Sequence, residues 1–386
     1  SNSNYSIKHY NIQSIHAAFL ALNGNNFNEI KDLKNSINAV STSIAKELTL
    51  QLDQNNKEFS ESLIGKLINN KGNEVPVSML PADGTFDTNT STHNTSLFNE
   101  SLPFWDSSLC TQCGACSLAC PQAALRIKAF DDSYLKDAPK QLKHVRSLEQ
   151  DWKVDLLNYT IQINPDQCNS CNNCIDACQV KALKFTSKKV NYKTEKNNWN
   201  YFESIPEFDR TKINVSKVSQ QQLQEPLFKY SIGVEGCGEA PYLKLITQLF
   251  GDRLLVANAT GSSSIFGGAL PTTPWSKNEA EKGPAWSNSL FEDNAEFGLG
   301  FRLTLDYKKA QAMSLLKELA PELEFDLVYD ILNCKQTTEA EIENQRKRID
   351  QLKDSLEAIS GFKANQLKHL ANYLIKKSVW IVGGDG

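Results

Sequence analysis

The chain is 386 residues long, 40% hydrophobic and 22% charged, the balance of a globular protein of two or three domains. A formal charge of −4 at pH 7 argues against a nucleic-acid partner, and no apolar run approaches the ~20 residues a membrane span needs. More telling are ten cysteines, because eight of them fall in two dense runs.

In chain order, residues 1–75 are rich in asparagine and lysine. Apolar faces at helical spacing run through Ile12, Ile15, Phe19 and Leu22, and through Ile30, Leu33, Ile37 and Val40. Low-complexity, poorly ordered chain explains the same composition equally well. Residues 76–105 carry Pro81, Gly84 and many Ser/Thr and predict an extended linker, ahead of a cysteine module at 106–187. A polar connector is expected over 188–226, rich in Lys and Asn and then in Gln. From 227 to 386 strands and helices alternate. Strands are predicted at 228–234, 254–257 and 378–382, and helices at 242–250, 308–319, 339–359 and 365–376. The helix at 339–359 has the i,i+4 charge spacing of an exposed surface. This alternation implies an α/β layer with a parallel sheet, so the fold class is α/β and α+β multidomain. The chain begins at Ser1 with neither methionine nor a signal sequence and stops on a Gly-Asp-Gly just past a strand, so a segment of a longer polypeptide is expected.

Cys110, Cys113, Cys116 and Cys120 form one C-x2-C-x2-C-x3-C run, and Cys168, Cys171, Cys174 and Cys178 form another. That is the spacing of bacterial-type ferredoxins holding two [4Fe-4S] clusters. Three closely spaced thiolates wrap one cube while the fourth ligates the other. The first cube is therefore assigned Cys110, Cys113, Cys116 and Cys178, and the second Cys168, Cys171, Cys174 and Cys120. Zinc sites have no use for a third cysteine at the same short interval, and a disulfide framework belongs to secreted chains. Similar strands, 124–127 and 182–185, follow the two runs and mark an internal duplication. A polar insertion between Lys128 and Ile161 reads as a surface excursion.

In the last third, small residues at strand ends let a diphosphate approach the backbone, and the Gly-Asp-Gly offers a carboxylate to Mg2+. The long Gly/Pro/Asn-rich stretch 283–298 has the length of a functional loop. Together with the cysteine runs, the phrases Gly236-Cys237-Gly238-Glu239, Ala257 to Ser264, 286–298 and the terminal Gly-Asp-Gly resemble the pyruvate:ferredoxin (flavodoxin) oxidoreductase family from about Val75 onward. The resemblance implies a two-cluster ferredoxin domain followed by a thiamine-diphosphate-binding α/β domain, here truncated. It implies oxidative decarboxylation of pyruvate to acetyl-CoA, with coenzyme A as co-substrate. Electrons would leave singly to ferredoxin or flavodoxin. A homodimer, an anaerobic cytoplasm or a hydrogenosome- or mitochondrion-like organelle, and further domains of the same enzyme are implied with it. Carried over by position, Gly236, Gly238, Glu239, Asn258, Thr260 and Gly261 would line the thiamine cofactor, and Asp385 would hold its Mg2+.

Two departures stand out. In the family a third, proximal cluster draws on cysteines where this chain has Val234 and Ser262, leaving Cys237 alone. Valine cannot ligate iron and serine is a poor ligand for a soft cluster, so this third cube is expected to be absent. The alternative to a working oxidoreductase is then an electron-transfer module whose thiamine domain is a degenerate scaffold. Cys334 fits no motif and is expected to be a small buried hydrophobe.

Overall fold

The computed structural model describes residues 57–93, 100–233, 236–268 and 271–383. The apolar faces predicted within 12–40, Val234 and Asp385 lie outside these residues. Helices α1 (Lys57–Glu61) and α2 (Leu63–Ile68) open the described chain, with Ser62 capping α2 by accepting from the Gly65 amide at 3.1 Å. Short 3-10 turns follow at Gly72–Glu74, Val77–Met79 and Thr90–His93. The segment predicted as linker is anchored at its centre. Asn89 and Ser91 amides donate to the carbonyls of Trp275 and Thr273 at 2.7 and 3.2 Å, and the Thr273 amide donates to Thr90 Oγ1 at 2.8 Å. Its end is strand β1 (Ser101–Trp105), so the linker stops earlier than predicted.

The cysteine module follows as α3 (Ala115–Ala119), β2 (Leu125–Phe130), β3 (Val145–Arg146), β4 (Asn158–Ile163), α4 (Asn173–Asp176) and β5 (Leu183–Ser187). β1 pairs antiparallel with β5, and a second antiparallel sheet has the order β2-β4-β3. Pro103 is tolerated in β1 because the two-stranded sheet leaves it at an edge. The predicted surface excursion needs correcting. Lys128 and Ile161 lie inside paired strands, with Lys128 opposite Thr160 and Ile127 opposite Ile161. Within the excursion Leu142 and Trp152 are buried, so part of it is core.

The polar connector is also corrected. Lys188–Ser204 is helix α5, which buries Trp199 and Phe202 one turn apart. Lys128 locks its C-terminal end, donating to the carbonyls of Phe202 (3.0 Å) and Ile205 and pairing with Glu207 at 2.9 Å. The Gln-rich stretch, part of it helix α6 (Val218–Gln221), is interior, since Gln220, Gln221, Gln222 and Gln224 are all buried.

Beyond it come α7 (Ala240–Phe250), β6 (Leu254–Ala259), α8 (Ser262–Gly267), β7 (Ala285–Ser289), α9 (Asn294–Leu319), α10 (Phe325–Asn333), α11 (Glu339–Glu357), α12 (Phe362–Leu370) and β8 (Ser378–Val382). The sheet is parallel, in the order β7-β6-β8, with Val256 opposite both Trp286 and Trp380. Three expectations change here. Residues 228–233 form no strand beyond an isolated bridge from Phe228 to Trp275. The stretch 283–298, expected as a loop, supplies β7 and the start of α9. α11 is half core rather than a surface helix, since Ile342, Ile349, Leu352 and Leu356 pack with Leu316 and Leu367.

Candidate iron–sulfur and cofactor sites

The two cysteine runs fold as copies of one turn. Gln112, Gly114 and Ala123 have positive φ of 58°, 76° and 54°, and Ser170, Asn172 and Lys181, each 58 positions on, have 57°, 74° and 54°. Left-handed residues between the cysteines turn backbone amides inward, as a sulfur-rich anion requires. Accordingly the Gln112 amide donates to Cys110 Sγ at 3.4 Å and the Ala182 amide to Cys178 Sγ at 3.2 Å. Gly114 is also the point where α6 comes closest, because a Cβ there would sit 3.0 Å from the Val218 carbonyl oxygen.

The thiols gather across the duplication. Burial pushes the Cys116 thiol up to about 12, and the neighbouring Cys110, Cys113 and Cys178 push the same way. Burial likewise takes Cys168 to about 12, reinforced by Cys120 and Cys171. Cys174 is raised by burial and then by Cys120, Cys168, Cys116 and Cys171. Each group of four thus contains the last cysteine of the other run, and Cys116 and Cys174 bring the groups side by side. A recess faced by Cys120, Cys168, Cys171 and Cys174 and walled by Leu125, Pro103 and Phe185 lies at the second group. Burial thus favours the protonated form of Cys116, Cys168 and Cys174, so a metal cluster must displace those protons on binding. A recess faced by four thiols fits a [4Fe-4S] cube, and the amides at Cys110 and Cys178 add hydrogen bonds to sulfur at the first group.

Residues 109–182 match the family described as a 4Fe-4S dicluster domain, and residues 45–94 match a domain of unknown function called EKR. The chain is 48% identical over 336 residues to the pyruvate-flavodoxin oxidoreductase of Trichormus variabilis, covering 84% of this chain and 28% of that protein. It is 45% identical over 343 residues to the Nostoc sp. enzyme of the same name, covering 85% and 28%. For the Rhodospirillum rubrum pyruvate-flavodoxin oxidoreductase the identity is 42% over 339 residues, covering 85% and 28%. The chain belongs to the pyruvate-flavodoxin oxidoreductase family. It spans about 28% of the length of the relatives it matches.

Within that family frame, the residues expected to line the thiamine cofactor fall at two neighbouring places. Asn258, Thr260 and Gly261 sit at the carboxyl end of β6, where ligands of parallel sheets bind. Asn258 is fully buried; its Nδ2 donates to Ala259 O (2.7 Å) and Asn288 Oδ1 (2.9 Å), leaving Oδ1 without a partner. Ser263 Oγ, in the first turn of α8, is likewise buried and unpartnered. Gly236, Gly238 and Glu239 lead into α7, and a Cβ on Gly238 would meet open space. Orphaned polar atoms at the sheet edge and an unfilled approach over Gly238 fit the edge of a polar cofactor. Gly236 also lies near the second thiol group, since a Cβ added there would lie 3.6 Å from Asn173 Oδ1 and 3.9 Å from Cys171 Cβ.

Cys237 is buried among Phe228, Ala240, Leu243 and Phe266, whereas Ser262, the other described position of the family's third cluster, is exposed. Cys334 is half-buried rather than buried, its Sγ 3.7 Å from the Glu341 carbonyl. Sequence reasoning missed Lys244. It lies on the core stripe of α7 with Ala240, Leu243 and Thr247, and its Nζ donates to the carbonyls of Ser117, Leu118 (3.0 Å) and Cys120 (2.9 Å). Burial pushes its pKa down to about 8, while Cys120 and Cys116 help hold the proton on. A lysine at i+4 on an otherwise apolar stripe was the available signal. Among the described residues no helix is long and apolar enough to cross a membrane.

Proposed function

We propose that this chain is the iron–sulfur module and the leading part of the thiamine module of a pyruvate (2-oxoacid):ferredoxin or flavodoxin oxidoreductase. Pyruvate and coenzyme A would be its substrates and a homodimer its assembly. Cys110, Cys113, Cys116 and Cys178 hold one cube, and Cys168, Cys171, Cys174 and Cys120 the other. Asn258, Thr260 and Gly261, with Gly236, Gly238 and Glu239, line the bound thiamine diphosphate, and Asp385 holds its Mg2+. When bound, thiamine diphosphate supplies the carbanion chemistry of decarboxylation. The chain's own residues hold the cofactor at the sheet edge and conduct single electrons away from it.

The nearness of Gly236 to Cys171 is the observation that supports the reading, because it would bring the second cube close to the cofactor edge. The order of transfer is then the second cube, the first cube, and a carrier docking near Cys113, which is exposed. A second reading, a relay with no chemistry of its own, is favoured by the burial of Cys237 and the serine at 262. Anaerobic iron quantitation and low-temperature EPR of the dithionite-reduced intact protein test the assignment. Two cubes give about eight irons per chain and magnetically coupled S = 1/2 signals. About twelve irons would overturn the loss of the third cube, and fewer than about four would overturn the module itself. Pyruvate- and CoA-dependent reduction of a viologen dye then separates the enzyme from the relay.

A further inference from the structure

Lys244 is 1% exposed and none of its hydrogen-bond partners is a carboxylate. All three are carbonyl oxygens at the C-terminal end of α3, the turn that runs from Cys116 to Cys120. Two of them already have backbone partners, Ser117 O accepting from the Cys120 amide at 3.2 Å and Cys120 O from the Ala123 amide at 3.4 Å, so unmet helix-end acceptors alone do not call for a buried lysine. A buried ammonium costs far more than a neutral donor unless negative charge compensates it. Three carbonyl acceptors nonetheless call for three N–H protons, which the ammonium has and the neutral amine lacks. On the proposed assignment Cys120 belongs to the second cube and Cys116 to the first, so the turn that Lys244 bonds carries a ligand of each.

We propose that Lys244 is a potential-setting residue, a buried positive charge delivered by α7 of the α/β unit that makes both cubes easier to reduce. Reduction adds one negative charge to a cube, and a cation fixed beside its ligands favours that state. The effect is larger on the second cube, because Nζ bonds directly to the carbonyl of its ligand Cys120. The charge comes from the α/β unit and not from the cysteine module. The cubes therefore acquire their working potentials only when the two units are docked.

This inference rests on the two-cube reading, and the iron count of the unaltered protein decides that reading first. The test is an EPR-monitored redox titration of the intact protein and of Lys244→Met and Lys244→Arg, each first shown to hold about eight irons. Lys244→Met is expected to lower the midpoint of the second cube by about 59 mV, a tenfold change in its reduced fraction at fixed potential. A smaller shift in the same direction is expected for the first cube. Lys244→Arg, which keeps the charge, is expected to hold both midpoints near those of the unaltered protein. Unchanged midpoints in Lys244→Met overturn the proposal, as does an equal shift in both variants. If Lys244→Met does not load its cubes, Lys244→Gln is titrated instead. If no charge-removing variant loads, Lys244 is a structural cap on α3 and the proposal fails.

Discussion

Cys120 is the residue on which the ligand assignment turns. It ends the first run, yet it acts on Cys168 and Cys174 of the second, and Cys178 acts on Cys116 of the first. If each run closed its own cube, Cys120→Ala would release Cys110, Cys113 and Cys116. With ligands exchanged it releases Cys168, Cys171 and Cys174 instead. The expected outcome is a fall from about eight to about four irons, with anaerobic alkylation and peptide mass mapping finding the new free thiols at 168, 171 and 174. Labelling at 110, 113 and 116 would sink the exchange. The two cysteine turns could be read from spacing because they are local geometry, with left-handed residues recurring at one offset in both runs. Lys244 could not be read so easily, because its partners lie over a hundred positions away and lysine is ordinarily a surface residue.

Among the elements, two of the three parallel strands and most helices of the second unit followed from periodicity, and β8 falls on the predicted residues. The failures share a cause, which is burial decided by a distant partner. α5 has a mostly polar sequence, and only Trp199 and Phe202, three positions apart, betray its buried face. β7 was hidden because it is a half-exposed edge strand whose sequence, Ala285-Trp-Ser-Asn-Ser289, offers one large apolar residue and no periodic pattern. The 283–298 stretch also holds a packing constraint that composition cannot express. Gly298 lies inside α9, where alanine is ordinarily better than glycine by roughly 1 kcal/mol. Here a Cβ would fall 2.4 Å from Ile381 Cγ1 and 2.7 Å from its Cδ1 on β8, with Ala257 Cβ of β6 at 3.4 Å. Overpacking of that kind costs about 1–3 kcal/mol, so the contact outweighs the propensity. Gly298→Ala is expected to lower the free energy of unfolding, read by denaturant titration, by about 1 kcal/mol, and to raise it when Ile381→Ala has already made room. Stabilisation by Gly298→Ala alone would show that α9 does not press on β8 as described.

At the scale of the whole molecule, polar side chains hold the cysteine module to the α/β unit. Gln222 Oε1 accepts from Ser117 Oγ at 3.0 Å, and its Nε2 donates to Gln248 Oε1 at 3.0 Å, so one glutamine of the former connector touches α3 and α7 together. Arg210 fastens the next layer. Its Nε meets Glu339 Oε2 at 2.7 Å, Nη1 donates to the Gln248 carbonyl at 2.6 Å, and Nη2 donates to the Leu249 carbonyl. The guanidinium fork thus joins the connector to the C-terminal end of α7 and the first turn of α11, with Arg253 bonding the other Glu339 oxygen at 2.8 Å. A lysine keeps the charge and loses the fork. Each hydrogen bond to a charged group contributes about 1.5–3 kcal/mol, and lysine recovers only some of them. Arg210→Lys is therefore expected to weaken the junction by about 2 kcal/mol while leaving the iron content at about eight. Calorimetry is expected to show the α/β unit melting at lower temperature, separately from the iron–sulfur module, where the unaltered protein melts in one transition. Because α7 also carries Lys244, partial loosening of this junction should lower the cube potentials before any iron is lost. A variant that melts in two transitions with unshifted potentials would place the fastening elsewhere.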